Sequence, residues 1–170
     1  EADIFFKQGF GHAYFNRAGW EHILKTHGGR LPVRIRAVKE GTVVPTGNVL
    51  FTIENTDPRF GWITNYLETV ISCNTWGPST SATIAKQYRD NFEKFAKLTG
   101  SPLDFVKWQG HDFSFRGMNG TECALTSGAA HLTSFYGTDT IPAIDYLEIF
   151  YGADSDKELI GGSVAAPEHS

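Results

Sequence analysis

Residues 105–140 read FVKWQGHDFSFRGMNGTECALTSGAAHLTSFYGTDT, and the alternation of apolar and small-residue runs in this stretch decides the fold class. FVKW at 105–108 and LTSFY at 132–136 are short apolar runs of the kind that form buried strands. Between them, residues 121–131 hold Ala124, Gly128, Ala129 and Ala130 in a helical stretch. The rhythm continues. A second helical stretch at 141–151, with Ile144, Leu147 and Tyr151 and a stop at Gly152, precedes a third strand-like run, GSVA at 162–165. Strand, helix, strand, helix, strand at near-equal spacing predicts parallel strands joined by crossover helices, an α/β architecture. On this pattern alone a doubly wound sheet and a (β/α)8 barrel both remain open, and neither is complete in this chain.

Toward the N-terminus, Ile84, Tyr88, Phe92, Phe95 and Leu98 recur at spacings of three or four and predict a helix over 80–98, closed by Gly100. Asp57 before Pro58 is a helix start, and Trp62, Tyr66, Leu67, Val70 and Ile71 then share a stripe, predicting a helix over about 58–72. Trp76-Gly77-Pro78 reads as the break between the two, and both stripes read as core. Val33, Ile35 and Ala37, and again Val49, Phe51 and Ile53, alternate with their neighbours as half-buried strands do, over 33–38 and 49–54. A polar connection longer than a tight hairpin allows them to pair antiparallel. Residues 1–30 suggest two short helices, the second closed by Gly28 and Gly29. Both ends read as if cut from something longer: a helical pattern already runs from Ala2, and GGSVAAPEHS stops where a strand would deliver its side chains.

The chain has 170 residues, 15 Lys plus Arg against 19 Asp plus Glu, and a hydrophobic fraction of 41%. Intrinsic disorder is excluded. A net charge of −4 gives no bulk attraction to nucleic acid or to an anionic membrane, so neither is an expected partner. Cys73 and Cys123 are too few for a disulfide framework or a cysteine zinc site, which fits a reducing, cytoplasmic setting. No apolar run reaches the roughly 18 residues a membrane span needs, and EADIFFKQGF is not ordered like a signal peptide. Neither a Walker phosphate loop nor a G-x-G-x-x-G fingerprint is present, and His12, His22 and His27 lack a metal-ligand spacing, so no protein-held metal is expected.

Ligands of α/β proteins sit at the carboxyl ends of parallel strands, where loops and helix N-termini converge. That rule selects His111-Asp112-Phe113-Ser114-Phe115-Arg116-Gly117, then Gly137-Thr138-Asp139-Thr140, then Glu168-His169-Ser170. Together they offer an aromatic plate, a guanidinium, a carboxylate and an imidazole, an inventory suited to a flat polar ring beside a phosphate. Each has a plainer alternative. Arg116 reads either as a surface ion-pair partner or as a bidentate phosphate ligand. Asp139 reads as a helix N-cap or as an acceptor for a ligand amide. Phe113 reads as core or as a stacking platform. His169, alone structural, has beside Glu168 the arrangement of a base and its orienter, and His111 next to Asp112 repeats it.

At this point GNVLFTIENTDP at 47–58, HDFSFRG at 111–117, GTDT at 137–140 and SVAAPEHS at 163–170, four motifs in order, resemble the nicotinamide phosphoribosyltransferase family. The resemblance runs across essentially all of the chain, as an N-terminal-to-middle segment of a much longer enzyme. It implies a type II phosphoribosyltransferase with an irregular (β/α) barrel and an accompanying mixed α+β domain. Residues 1–100 would be part of the latter and 101–170 the first βα units of the barrel. It implies further a homodimer with shared active sites, cytoplasmic and in some members nuclear or extracellular. The implied reaction joins nicotinamide to phosphoribosyl pyrophosphate, giving nicotinamide mononucleotide and pyrophosphate in NAD salvage, with Mg2+ and optional coupling to ATP. By the same resemblance Phe113 stacks on the pyridine ring, Asp139 accepts from the carboxamide, Arg116 holds a phosphate and His169 is phosphorylated. His111, Glu168, Gly137 and Ser163 stand behind them. A carboxylate at 139 disfavours the alternative of a nicotinate phosphoribosyltransferase, and a non-catalytic, cytokine-like binding fragment is the alternative from another class. Phe115 stands where the family most often has Tyr, and SVAAPEHS replaces SVPAAEHS. The remaining parts of the phosphoribosyl site lie downstream of this segment, which alone is expected to be inactive.

Overall fold

A computed structural model describes residues 1–10 and 15–165, which fall in two compact units, Glu1–Thr69 and Val70–Ser170. The boundary between these units lies inside a long helix.

In the first unit, α1 spans Ala2–Phe10 and α2 spans Arg17–His27. Asn16 starts α2: its side-chain oxygen accepts from the Gly19 amide at 3.0 Å, satisfying one of the amides a helix leaves unpaired at its start. Gly28 ends α2 in the left-handed conformation, φ 60°, as the paired glycines suggest. Replacing Asn16 with Ala is expected to lower stability by about 1 kcal/mol, measured by thermal denaturation. An unchanged midpoint would show the cap to be dispensable. Strands β1 (Val33–Ala37) and β2 (Phe51–Asn55) pair antiparallel with Val33 opposite Asn55 and Ala37 opposite Phe51. Phe51 and Ile53 are half-buried as expected, but Ile35 is exposed and Val49 precedes the strand. Asp57 caps not a long helix but a 3-10 turn, Pro58–Phe60, accepting from the Arg59 amide. The Arg59 side chain against it holds the Asp57 carboxyl well below the usual carboxylate range, and His27 Nε2 at 3.2 Å joins the end of α2 to the same carboxylate. Ile23, Phe60 and Ile63 form the core here, flanked by Trp20, Val33 and Trp62.

The two helices expected on either side of residue 77 are one: α3 runs from Ile63 to Thr99 with Pro78 inside it. Proline removes a single backbone bond, whereas each further residue of a started helix adds one, so helical segments on both sides carry the axis through. The hydroxyls of Thr75 and Thr80 bond to the carbonyls of Ile71 and Trp76 around the proline. The stripe expected to be core is largely open. Ile84 is 48% exposed, Tyr88 58% and Leu98 71%, while Ala85 and Ala96 are the buried residues of this helix in the second unit.

The second unit corrects the strand positions while keeping their order. FVKW does not form a strand: Leu103–Val106 is a short helix, α4, and β3 is His111–Asp112. LTSFY is the turn after α5 (Thr121–His131), and β4 is Gly137–Thr138. Strands β3 and β4 are parallel, with His111 opposite Gly137 and Asp112 opposite Thr138, and Gly162 bridges Gly137 in parallel from the other side. The crossover helices α5 and α6 (Pro142–Tyr151) lie where the spacing puts them. They approach closely at Gly128, where a Cβ would lie 2.9 Å from that of Ala143. The α/β class therefore holds as a mixed helix-and-strand unit with open sheets.

Candidate functional site

Strand β3 delivers two side chains. His111 is 12% exposed and its Nε2 donates to Asp139 Oδ1 at 2.9 Å. Asp112 is buried and its Oδ1 accepts from the Ser114 amide at 2.9 Å, an Asx turn that starts the 3-10 turn Ser114–Gly117. That turn carries Arg116, so Asp112 fixes the path along which the guanidinium is presented. The signal available was D-x-S after a strand, and the sequence reading left Asp112 without this role. Burial pushes the Asp112 carboxyl up, but the Ser114 amide that donates to it outweighs this and leaves the group below its usual range.

Asp139 follows β4. The N-cap, one of its two readings, is not made: α6 begins at Pro142 after Ile141, with no side-chain cap. Its carboxylate instead accepts from Ser163 Oγ at 2.5 Å and from His111, both on Oδ1. The Ser163 hydroxyl first, then His111, lower the Asp139 pKa, and Arg116 adds to this by its charge. Phe113 is not core: it is 61% exposed, with one face stacked on the His111 ring at 4.4 Å between centroids and 26° between planes. Arg116 is exposed and forms no ion pair with a described acidic residue. Gly137 is buried between Gly110 and Gly162, and a Cβ there would lie 2.8 Å from both the Gly110 carbonyl oxygen and His111 Nδ1. His111, Phe113, Arg116, Gly137, Asp139 and Ser163 thus gather at one place, while Glu168 and His169 lie outside the described residues.

A cavity of about 390 Å3 on this unit is lined by Ile84, Tyr88, Asp112, Ser127, His131 and Phe135, among others, and includes neither Phe113 nor Asp139. Burial pushes the His131 imidazole down, and its Nε2 donates to the Gly137 carbonyl at 3.0 Å, so this ring braces β4.

Two short parallel strands carry a ring plate and a carboxylate at their carboxyl ends, and residues 108–170 match the nicotinate phosphoribosyltransferase family. Residues 1–35 match the N-terminal domain of nicotinamide phosphoribosyltransferase. Among curated proteins the chain is similar to nicotinamide phosphoribosyltransferases of Acinetobacter baylyi, 47% identical over 88% of this chain and 29% of the relative, and of Xanthomonas campestris, 43% over 92% and 32%. It is also 35% identical to the Mycoplasma genitalium protein of that name, over 83% of this chain and 29% of the relative. The likeness to nicotinamide phosphoribosyltransferases therefore holds over most of the chain, which spans about a third of the length of these relatives.

Proposed function

We propose that this chain supplies the pyridine-ring subsite and part of the phosphate subsite of a nicotinamide phosphoribosyltransferase acting in NAD salvage. The observation that carries the reading is the Asp139 carboxylate, exposed at 45% of its side chain, tied through one oxygen to His111 and Ser163 and standing beside the Phe113 plate. A carboxamide donates N–H to such an acceptor, whereas the carboxylate of nicotinate is repelled by it. The pyridine stacks on the face of Phe113 away from His111, and Arg116 holds a phosphate oxygen pair with its planar fork.

Departure of pyrophosphate leaves an oxocarbenium-like ribose, so the protein's work is to hold a weak pyridine nucleophile in line and to stabilise the anionic leaving group. The C1–O bond to pyrophosphate breaks as the C1–N bond to the ring forms, and no covalent enzyme intermediate is required. Mg2+ bound with phosphoribosyl pyrophosphate would offset the charge of its phosphates. His169 takes the γ-phosphoryl group of ATP in the coupled reaction, with ADP leaving. The irregular barrel, the cytoplasmic setting and the homodimer with a shared active site belong to the same proposal.

The match of residues 108–170 to a family named for nicotinate keeps the acid substrate as the second reading. Calorimetric titration of the intact polypeptide carrying this chain separates them. Nicotinamide is expected to bind in preference to nicotinate; equal affinity or a preference for nicotinate would overturn the amide reading.

A further inference from the structure

Asp139 is a short side chain on the surface, and a carboxylate free to turn would offer either oxygen to a ligand at any angle. Here both of its neighbours donate to the same atom, Oδ1: Ser163 Oγ at 2.5 Å and His111 Nε2 at 2.9 Å. Oδ2 accepts from no described donor, and with the side chain 45% exposed it is the oxygen left for a ligand. The donor role puts the His111 proton on Nε2, and Nδ1 is buried with no hydrogen-bond partner, so the ring is held by its neighbours' packing and by this one bond. The same ring carries Phe113 on its face at 4.4 Å. One imidazole therefore joins the acceptor for the amide to the plate for the ring.

Resting on the nicotinamide reading, we propose that His111 is a positioning residue that sets amide specificity: it fixes the direction of Asp139 Oδ2 relative to the plane of Phe113, so that a flat ring with a coplanar carboxamide meets both at once. Preorganisation of this kind acts on affinity for the ring substrate and leaves the phosphate half of the site alone.

The variants His111→Phe and His111→Gln divide the two contacts, since Phe keeps a stacking face without a donor and Gln places a donor near the position of Nε2 without the face. In the intact polypeptide, His111→Phe is expected to weaken nicotinamide binding about tenfold. Affinity for phosphoribosyl pyrophosphate and the melting midpoint should stay near the parent values, and His111→Gln should recover most of the loss. A ligand-free readout accompanies this. The Asp139 carboxyl faces His111 from β3, Arg116 from the 3-10 turn and the Ser163 hydroxyl, and a carbon-13 titration of Asp139 should rise toward the ordinary aspartate range in His111→Phe. Parental affinity and titration in that variant would overturn the proposal, as would equal losses for both ligands with a lowered midpoint. If the parent binds no nicotinamide, the functional reading fails separately, and the Asp139 titration still decides whether His111 holds that carboxylate.

Discussion

Replacing Asp139 with Asn is expected to weaken nicotinamide binding by roughly thirty- to a hundredfold, more than a near-isosteric change at a half-exposed position would suggest. The reason lies in the two donors on Oδ1. Ser163 and His111 both present hydrogens to this atom, so an amide side chain at 139 must turn its carbonyl oxygen toward them. Its NH2 then points where Oδ2 had been, donor against the donor of the ligand carboxamide. The parent offers an anion; the variant offers the wrong pole. The same NH2 suits the carboxylate of nicotinate, so the preference for amide over acid should shrink or reverse in competition measurements. Unchanged selectivity would remove Asp139 from the site. The pH dependence follows the same group. Ser163 and His111 lower the Asp139 pKa, so the carboxylate persists as pH falls through the ordinary aspartate value near 4. Nicotinamide binding should therefore be retained below that pH and decline only when pH passes through the lowered value.

The crossover helices α5 and α6 were readable because their stop signals and small-residue runs are local. Thr121–His131 matches its expected range and Pro142–Tyr151 nearly so. The strands were not, and the reason is chemical. β3 and β4 are two residues each, His-Asp and Gly-Thr, and the side chains they bury are polar. Asp112 Oδ1 accepts from the Ser114 amide and Thr138 Oγ1 from the Thr140 amide, so both positions are polar and neither carries the apolar signal that marks a buried strand. The apolar runs beside them serve other ends: Val106 is buried from helix α4, and Phe135 lies under Gly110, where a Cβ would come within 2.5 Å of its ring. That His111, Phe113, Asp139 and Ser163 come together was legible despite this, since loops at the carboxyl ends of parallel strands are named by strand order, which survived the shift of a few residues. What could not be read was the sharing of one carboxylate oxygen by His111 and Ser163, which depends on Gly162 lying beside Gly137 and on no feature of the local sequence.

That adjacency makes Gly137 a position where one added methyl group should be costly. Its backbone needs no left-handed conformation, so the demand is steric alone. A Cβ would meet the Gly110 carbonyl oxygen and His111 Nδ1, each at 2.8 Å, in a residue paired on one side with His111 and on the other with Gly162. Backbone on both sides leaves β4 little freedom to slide away, and the His111 ring can yield only by releasing Asp139. Gly137→Ala is expected to destabilise the fold by about 1–3 kcal/mol, the range for overpacking, and thereby to lower the melting midpoint by several degrees. Nicotinamide affinity should fall with it, because the displaced ring is the one that holds the amide acceptor. Gly9→Ala provides the contrast: that glycine lies inside α1 with nothing within 4 Å of the added carbon. There the same methyl group should stabilise by about 0.5–1 kcal/mol through helix propensity. A Gly137→Ala protein with the parent's midpoint and affinity would show that β3 and β4 are not packed as tightly as the site requires.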